Sequence, residues 1–516
     1  MADVTLEDPI TRDRATGQLP VFLPHEVFGA LFAASWTLFS SVLFGGIPQD
    51  LVPTLLSFHW TSVSGGVWAR RHPCFTSHEH LRQWIIPFRC HGDDASVKSI
   101  TGRKLVIFSV HSEFAEMDAL VSRLLTWICY DDQLVSGVTI PELMVVIKWS
   151  FDSLLQGTYP ALDHLGRPWP AESARARLAN TLLAGGFRGA FAGSLGDWAW
   201  HSKMYYPHLH GSSHNYLCCR DAAARHIDAL RFEDIGPNAG WRATSISTAV
   251  FLAALPADHN AMFDTPGWDL SLVRVDMMHC CFLGLFAVVC GNVFWELHQL
   301  GHFCPPELIM AERLNHAFWS LTSYCRRNKL KLCLRQFTPH TFSSPDSPEL
   351  NSKAHDCRIM VGWLAKECLT SPDVHSAAGK RRLAIAYWQR ELAESMEQAP
   401  RYLFGQFLDR VSRAGDEFLT LYVSFCLEFK GAEPPRWKAL RKLHPFVHMM
   451  EDLALDRLNP RFFAGWTDES LMGKVVHMAY GQNMRSAPLN VLTAWWPMFV
   501  ESHRRAPSRS WAHFLT

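Results

Sequence analysis

Acidic residues stand at the ends of three separate β-type stretches of this sequence. A carboxylate in that position, with a helix covering it, can hold a divalent metal ion over a phosphate. The stretches are residues 84–95, which run into Asp93 and Asp94, residues 187–200, which run into Asp197, and residues 271–297, which pass Asp276 and become a long apolar helix. If their strands share a sheet, distant parts of the chain supply one cluster of acids.

Such a cluster would carry out phosphodiester hydrolysis or strand transfer. Two Mg²⁺ ions about 4 Å apart activate the attacking oxygen and stabilise the leaving oxygen, and several converging carboxylates must hold them. We predict Asp93, Asp197 and Asp276 as catalytic residues and as ligands of Mg²⁺ or Mn²⁺. Asp94 is an alternative first acid. Glu296 is an alternative third acid, although a helix residue of this kind is expected to be solvated.

Simpler roles compete with metal binding at each position. A turn acid or a helix N-cap would account for Asp93 and Asp197. Asp276 follows an apolar stretch, where a buried charge requires a partner or a metal. His279 is an auxiliary candidate that could orient a carboxylate or a water molecule, and a hydrogen-bonded core histidine is the alternative.

The composition is that of a folded protein with room for more than one domain. The chain has 516 residues, 48% of them hydrophobic and 19% charged, which excludes wholesale disorder. Lys plus Arg equals Asp plus Glu at 49 each, so nucleic-acid binding would depend on local patches. The 14 cysteines show no C-x-x-C spacing, which indicates buried thiols in a reducing compartment.

The periodicity predicts an α/β centre with helical regions on both sides. Residues 104–110, KLVIFSV, read as the hairpin partner of the strand that presents Asp93, and residues 141–155 read as a helix. We predict a loose tail at 1–20, a helical N-terminal region at 21–83, an α/β core at 84–300 with an insertion at about 201–270, and a helical C-terminal region at 301–516.

Residues 27–47 are free of charge and long enough to cross a membrane. The stretch contains three glycines, three serines and a threonine and lacks flanking Lys or Arg, which favours a buried helix. We therefore expect no stable membrane association, with a membrane tether as a remote alternative.

Two short blocks resemble the transposases of CACTA-type (En/Spm-like) DNA transposons and their transposon-derived relatives. Residues 276–279, DMMH, are similar to the D-x-M-H signature of that family, and residues 351–360, NSKAHDCRIM, resemble its K-x-H-D-C block. Gly92-Asp93 and Gly196-Asp197 stand where the first and second catalytic acids of the family are expected. Residues 442–448 and 459–474 resemble the helical C-terminal region of the transposon-derived group.

The resemblance implies a fold, a site and a substrate. The core at 84–300 would be an RNase H-like mixed sheet with flanking helices, and Asp93, Asp197 and Asp276 would form a DDE/D site for Mg²⁺ or Mn²⁺. The protein would act in the nucleus as a DNA recombination enzyme on the ends of a transposon. Self-association into a homo-oligomer is compatible with this interpretation.

Two departures from the family pattern support a second hypothesis. The first acid lies in HGDDA, and the zinc-knuckle-like C-x-x-C of the family is reduced to Cys218 and Cys219. A catalytically inactive, transposon-derived DNA-binding or scaffold protein is therefore the alternative function.

A basic cluster near the C-terminal end of the chain is the predicted DNA-binding group. Its members are Arg436, Lys438, Arg441 and Lys442. Such side chains can neutralise phosphates, although short charge runs are also typical of solvated helix faces.

Overall fold

The computed structural model describes residues 1–97, 102–115, 118–205, 231–256, 259–305, 307–344, 347–432 and 436–505. The chain divides into two compact units. The first comprises Met1–Ser212, Ile246–Arg274 and Gly465–Thr516, and the second comprises Ser213–Ser245 and Val275–Ala464. The C-terminal residues from Gly465 thus rejoin the unit that contains the start of the chain, and no boundary falls at residue 300.

The strands of the first unit form two sheets, an antiparallel pair and a mixed sheet of four strands. They are β1 (Ala2–Glu7), β2 (Arg14–Leu19), β3 (Ile85–Ser96), β4 (Lys104–Ser112), β5 (Leu124–Tyr130) and β6 (Arg188–Leu195). The second unit contains two-residue strands, β7 (Ser343–Ser344) and β8 (Ser347–Pro348), which pair with each other.

The main sheet has the order β5-β4-β3-β6. β3 pairs antiparallel with β4, which pairs antiparallel with β5, whereas β6 runs parallel to β3. Val273 forms a parallel bridge to Ser194 on the outer side of β6, and the Arg274 amide donates to the Ser194 carbonyl at 2.9 Å. The strand of the first predicted acid is therefore central, and the strand that leads to the second lies beside it.

The helices surround this sheet in the first unit and make up most of the second. They are α1 (Pro24–Ala34), α2 (Trp36–Phe44), α3 (Val52–Ser62), α4 (Ala119–Ser122), α5 (Thr139–Gln156), α6 (Ala174–Leu178), α7 (Trp198–Tyr205), α8 (Thr248–Ala253), α9 (Phe286–Gln299), α10 (Met310–Arg327), α11 (Ala354–Leu369), α12 (Ala377–Gln398), α13 (Gln406–Glu428), α14 (Leu443–Asp456), α15 (Trp466–Ala479) and α16 (Ala487–Arg505).

Both faces of the sheet are covered within the first unit. On one face, Phe88 of β3 packs against Phe28 of α1 with ring centroids 5.9 Å apart, and α5 packs on β6. α15 packs against β3, and α16 packs against β5. A strand covered on both faces can be apolar along its whole length, and β5 is buried throughout.

The second unit is a helical assembly around the apolar helix α9. α11 and α12 both pack against α9, and α13 links α12 to α14. The amide of Gln389 donates to the Phe286 carbonyl at 3.1 Å, which joins α12 to the start of α9. A wide-turn helical segment, Met278–Leu285, precedes α9 and is distorted at Leu283 and Gly284.

Several predictions from periodicity are confirmed. The mixed α/β centre is present, β4 is the antiparallel partner of β3, and α5 contains the helix that was predicted at 141–155. The Gly157 C-cap has φ of 75°, a left-handed conformation that glycine adopts easily and that ends α5.

Other predictions need correction. Residues 1–20, predicted as a loose tail, contain the β1–β2 hairpin, whose Ala2, Val4 and Leu19 are buried. The β-type stretch at 271–276 forms the single bridge at Val273 instead of a longer strand. Its apolar residues cover one edge of the sheet, so periodicity alone could not separate a strand from an extended connection.

Residues 27–47 form parts of two helices and not one span. α1 ends at Ala34, and the Ser35 side chain accepts from the Leu38 amide to begin α2. Among the described residues, the helical run Met278–Gln299 is the one that has the length and apolar composition to cross a membrane, and 89% of its apolar window is buried inside the protein.

Candidate metal centre

Asp93 lies in the interior of β3, the central strand. Its side chain is 9% exposed, and Oδ1 accepts a hydrogen bond from the Asp94 amide at 2.6 Å. Because side chains alternate along a strand, Asp93 shares a face with His91 and Arg89. On this face Arg89 forms a buried ion pair with Glu113. The predicted first acid is therefore held in a polar region of the sheet.

Asp94 points to the opposite face and has other partners. Its carboxylate lies 2.7 Å from Lys104 Nζ and 2.8 Å from Lys203 Nζ. Partial burial opposes ionisation, but the hydrogen bonds and charges of the two lysines hold the pKa of Asp94 below its usual value. Of the two neighbouring acids, the geometry favours Asp93 as a metal ligand.

Asp197 follows the end of β6, beside the strand that carries Asp93. The last parallel pair of these strands is His91 with Leu195, and Asp93 and Asp197 each follow that pair by two residues. The strand ends approach closely, since a Cβ at Gly196 would lie 2.8 Å from the Gly92 carbonyl oxygen. The chain thus brings the first and second predicted acids to adjacent positions.

Asp197 also begins the helix that follows it. Its Oδ1 accepts from the Trp200 amide at 2.6 Å, which is the N-cap role that competed with metal binding. A carboxylate has a second oxygen, so the cap fixes the orientation of Asp197 without occupying the whole group.

Glu469 is a further acid at this place, to which the sequence interpretation gave no role. It lies in the first turn of α15, and one of its carboxylate oxygens is within 4.8 Å of one of Asp93. Both residues belong to the first unit. The acidic pair Asp468-Glu469 at the start of a helix was the available signal, but its link to β3 spans most of the chain.

Asp468 anchors α15 to the sheet. Its carboxylate is fully buried, lies 2.7 Å from Nε of Arg123 and accepts a second bond from that guanidinium at 3.1 Å. His91 of β3 lies 3.9 Å away. Burial opposes ionisation of Asp468, but the positive charge and the hydrogen bonds of Arg123 hold its pKa well below the usual range. This ion pair fixes the helix that presents Glu469.

Asp276 lies in the second unit, as does His279. Its Oδ1 accepts from the Met278 amide at 2.7 Å, and Nδ1 of His279 lies 2.6 Å from its Oδ2. Asp276 is 6% exposed. His279 thus orients a carboxylate, one of its two predicted roles, and both oxygens of Asp276 have partners within its own segment.

Glu296 is not the solvated residue that the sequence suggested. Its carboxylate accepts from Nε1 of Trp437 at 3.2 Å and lies 3.4 Å from Arg382, and its side chain is 17% exposed. These contacts within the second unit give the carboxylate a structural role.

Three of the four predicted DNA-binding side chains are engaged within the second unit. Arg436 donates to Gln299 at 2.9 Å, Lys438 pairs with Glu349 at 2.6 Å, and Lys442 donates to the Leu283 carbonyl at 2.6 Å. Arg441 is exposed. The group is therefore less available to phosphates than its sequence suggests. Cys218 and Cys219 lie outside the described residues.

Asp93, Asp197 and Glu469 offer the oxygen donors that Mg²⁺ and Mn²⁺ prefer. Each is held by a different element, and a peptide amide or a buried ion pair fixes each element locally. No protein-family model and no curated protein matches the chain.

Proposed function

We propose that the protein is a DDE-type, metal-dependent enzyme of the transposase kind that cleaves and joins DNA. Asp93, Asp197 and Glu469 would bind two Mg²⁺ or Mn²⁺ ions. The observation that carries the proposal is the closeness of the Asp93 and Glu469 carboxylates beside the strand end that leads to Asp197.

The sheet supports an RNase H-like assignment of the first unit. The strand with the first acid is central, its antiparallel neighbours lie on one side, and the parallel strand that leads to the second acid lies on the other. The third acid comes from a helix that packs on the central strand. In this arrangement the helical residues 275–464 are an insertion between the edge of the sheet and the helix of Glu469.

The contacts within each unit favour Glu469 over Asp276 as the third acid of the proposed site. Glu469 approaches Asp93 inside the first unit, whereas both oxygens of Asp276 have partners in its own segment. Asp276 with His279 is the alternative, as the D-x-M-H resemblance implies.

The protein residues orient the acids before substrate arrives. The Asp94 amide directs one oxygen of Asp93, the Trp200 amide directs one oxygen of Asp197, and the Asp468–Arg123 pair positions the helix of Glu469. Bound metal ions would activate the attacking oxygen and stabilise the leaving oxygen of the phosphodiester. Fixed carboxylates lower the cost of assembling such a site during the reaction.

Cleavage of labelled duplex DNA in the presence of Mn²⁺ tests the proposal. We expect Asp93→Asn, Asp197→Asn and Glu469→Gln each to reduce the rate by roughly a hundredfold or more, the scale on which misplaced catalytic groups slow reactions. Asp94→Asn is the matched control and should retain activity, because the Asp94 carboxylate pairs with Lys104 and Lys203.

Asp276→Asn separates the two candidates for the third acid. Retained cleavage in this variant together with loss in Glu469→Gln supports our assignment, and the reverse pattern favours the resemblance-based one. A folded wild-type chain that binds DNA without cutting it would overturn catalysis and leave the inactive, transposon-derived scaffold. The nucleus and transposon ends are the proposed place and substrate of the reaction.

A further inference from the structure

Cys333, His355 and Asp356 form a second cluster of metal-binding side chains, within the second unit. One ligand atom from each, a thiol sulfur, an imidazole nitrogen and a carboxylate oxygen, lies within 4.8 Å of the other two. His355 and Asp356 are in the first turn of α11, and Cys333 lies in the extended segment after α10. His355 and Asp356 belong to the block that resembled K-x-H-D-C, to which no chemistry was assigned.

Two hydrogen bonds hold the extended segment against the helix. The Cys333 amide donates to Oδ1 of Asp356 at 2.8 Å, and Nε2 of His355 lies 2.7 Å from the Lys331 carbonyl oxygen. A carbonyl only accepts, so Nε2 carries the proton and Nδ1 keeps its lone pair. A histidine that donates one N–H to a carbonyl and offers its other nitrogen is the usual arrangement at a metal.

The exposure of the cysteine also distinguishes this cluster. Of the described cysteines, Cys333 alone is exposed, and the others are buried. Cys333 is open to solvent and to an entering ion.

The geometry points to a zinc site formed by Cys333, His355 and Asp356, with a fourth position open to water. Tetrahedral Zn²⁺ binds sulfur at about 2.3 Å and nitrogen or oxygen at about 2.0–2.2 Å. Ligand atoms around it are then roughly 3.5 Å apart, so atoms that lie within 4.8 Å of one another need to close by at most about 1.3 Å. Thiolate and imidazole select zinc over Mg²⁺, so this site is chemically distinct from the cluster of acids.

The ion would fasten the segment after α10 to the start of α11. Of the two hydrogen bonds described between these elements, that of His355 is exposed and that of Asp356 is partly buried, and a single hydrogen bond contributes about 1 kcal/mol. Three protein ligands on one ion would replace mobile contacts with a fixed crosslink in the second unit.

Cobalt substitution in the full-length, metal-stripped chain tests the site. We expect one equivalent of Co²⁺ to bind with a thiolate-to-cobalt absorption band, and Zn²⁺ to displace it. Cys333→Ser should remove the band, and His355→Ala should weaken binding by at least about tenfold. Both side chains are exposed, so these variants should fold.

His375→Ala is the matched control, since His375 is exposed and lies outside the cluster, and it should bind cobalt as the wild type does. Asp197→Asn should also retain the band, so failure of the proposed DNA cleavage and failure of the zinc site remain distinguishable. Alkylation of Cys333 should slow when Zn²⁺ is added. A thiolate band that persists in Cys333→Ser, or wild-type chain that binds no cobalt, would overturn the proposal.

Discussion

At the scale of single residues, the most informative side chain is the buried Asp468. Its carboxylate is fully buried and pairs with Arg123, so its charge is compensated from the segment before β5. The adjacent Glu469 points to solvent and approaches Asp93. One residue of the pair therefore holds the helix, and the next lies close to the first candidate acid.

Replacing Asp468 by asparagine should destabilise the protein. The change leaves the Arg123 guanidinium buried without its counter-charge, which typically costs about 3–5 kcal/mol. Urea unfolding of Asp468→Asn beside Asp94→Asn measures this, because the partly exposed pairs of Asp94 should contribute less than about 1 kcal/mol. Equal unfolding midpoints for Asp468→Asn and wild type would contradict the anchoring role.

The same ion pair predicts a pH dependence. The folded-state pKa of Asp468 is below its unfolded value of about 3.9, so its contribution is complete above that pH and is lost as the pH falls further. Wild-type stability should therefore fall more steeply below pH 4 than that of Asp468→Asn. A parallel decline in the two proteins would show that the carboxylate is not held in its charged form.

At the scale of elements, the position of Asp197 depends on the absence of a side chain at Gly92. Trp200 of α7 lies against the backbone of β3 at this position, where a Cβ would overlap the indole ring. Trp200 also packs near Phe108 and Trp127, with centroids 6.0 and 6.5 Å away. Glycine therefore allows α7 to seat on the sheet and sets the place of Asp197.

Gly92→Ala should displace α7 and thereby disturb Asp197. We expect a loss of about 1–3 kcal/mol in stability, as for other overpacked cores, and a large loss of DNA cleavage. Gly473→Ala is the control, because a Cβ there meets nothing within 4 Å and replaces glycine inside helix α15. Unfolding and cleavage measured on both variants check the prediction, and unchanged activity in Gly92→Ala would refute it.

The helices and strands could be predicted where the spacing of hydrophobic residues and the positions of turn residues indicate the same element. The helix predicted at 141–155 lies within α5, and the partner of β3 begins at Lys104 as predicted. The segment at 271–276 was misread because an apolar run that covers a sheet edge has the same composition as a strand. Residues 1–20 were misread because the hairpin is polar on its exposed face.

The candidate site was predictable from the sequence only in its local part. Asp93 and Asp197 could be found because each follows its own strand, and short-range patterns identify strands. Glu469 could not be found in this way, since α15 joins β3 only after the helical second unit has intervened in the chain. The sequence pattern does not indicate that α15 packs against β3, because this contact arises from tertiary packing.

At the scale of the whole molecule, the chain alternates between its two units. The first unit receives residues from the start, the middle and the end of the sequence, and its sheet and α15 come from segments separated by Val275–Ala464. A chain arranged in this way can carry a large helical insertion while the sheet and α15 remain in one unit. The zinc site proposed for the insertion would stabilise that part independently.

Asp93, Asp197 and Glu469 are proposed to bind a pair of divalent ions together. Electron paramagnetic resonance of the full-length chain titrated with Mn²⁺ tests this binding most directly, because two ions about 4 Å apart couple their spins. We predict a coupled Mn²⁺ pair in the wild type and in Asp94→Asn, and its absence from Asp93→Asn, Asp197→Asn and Glu469→Gln. A wild-type spectrum with only isolated ions, or a coupled pair that survives Glu469→Gln, would contradict the account.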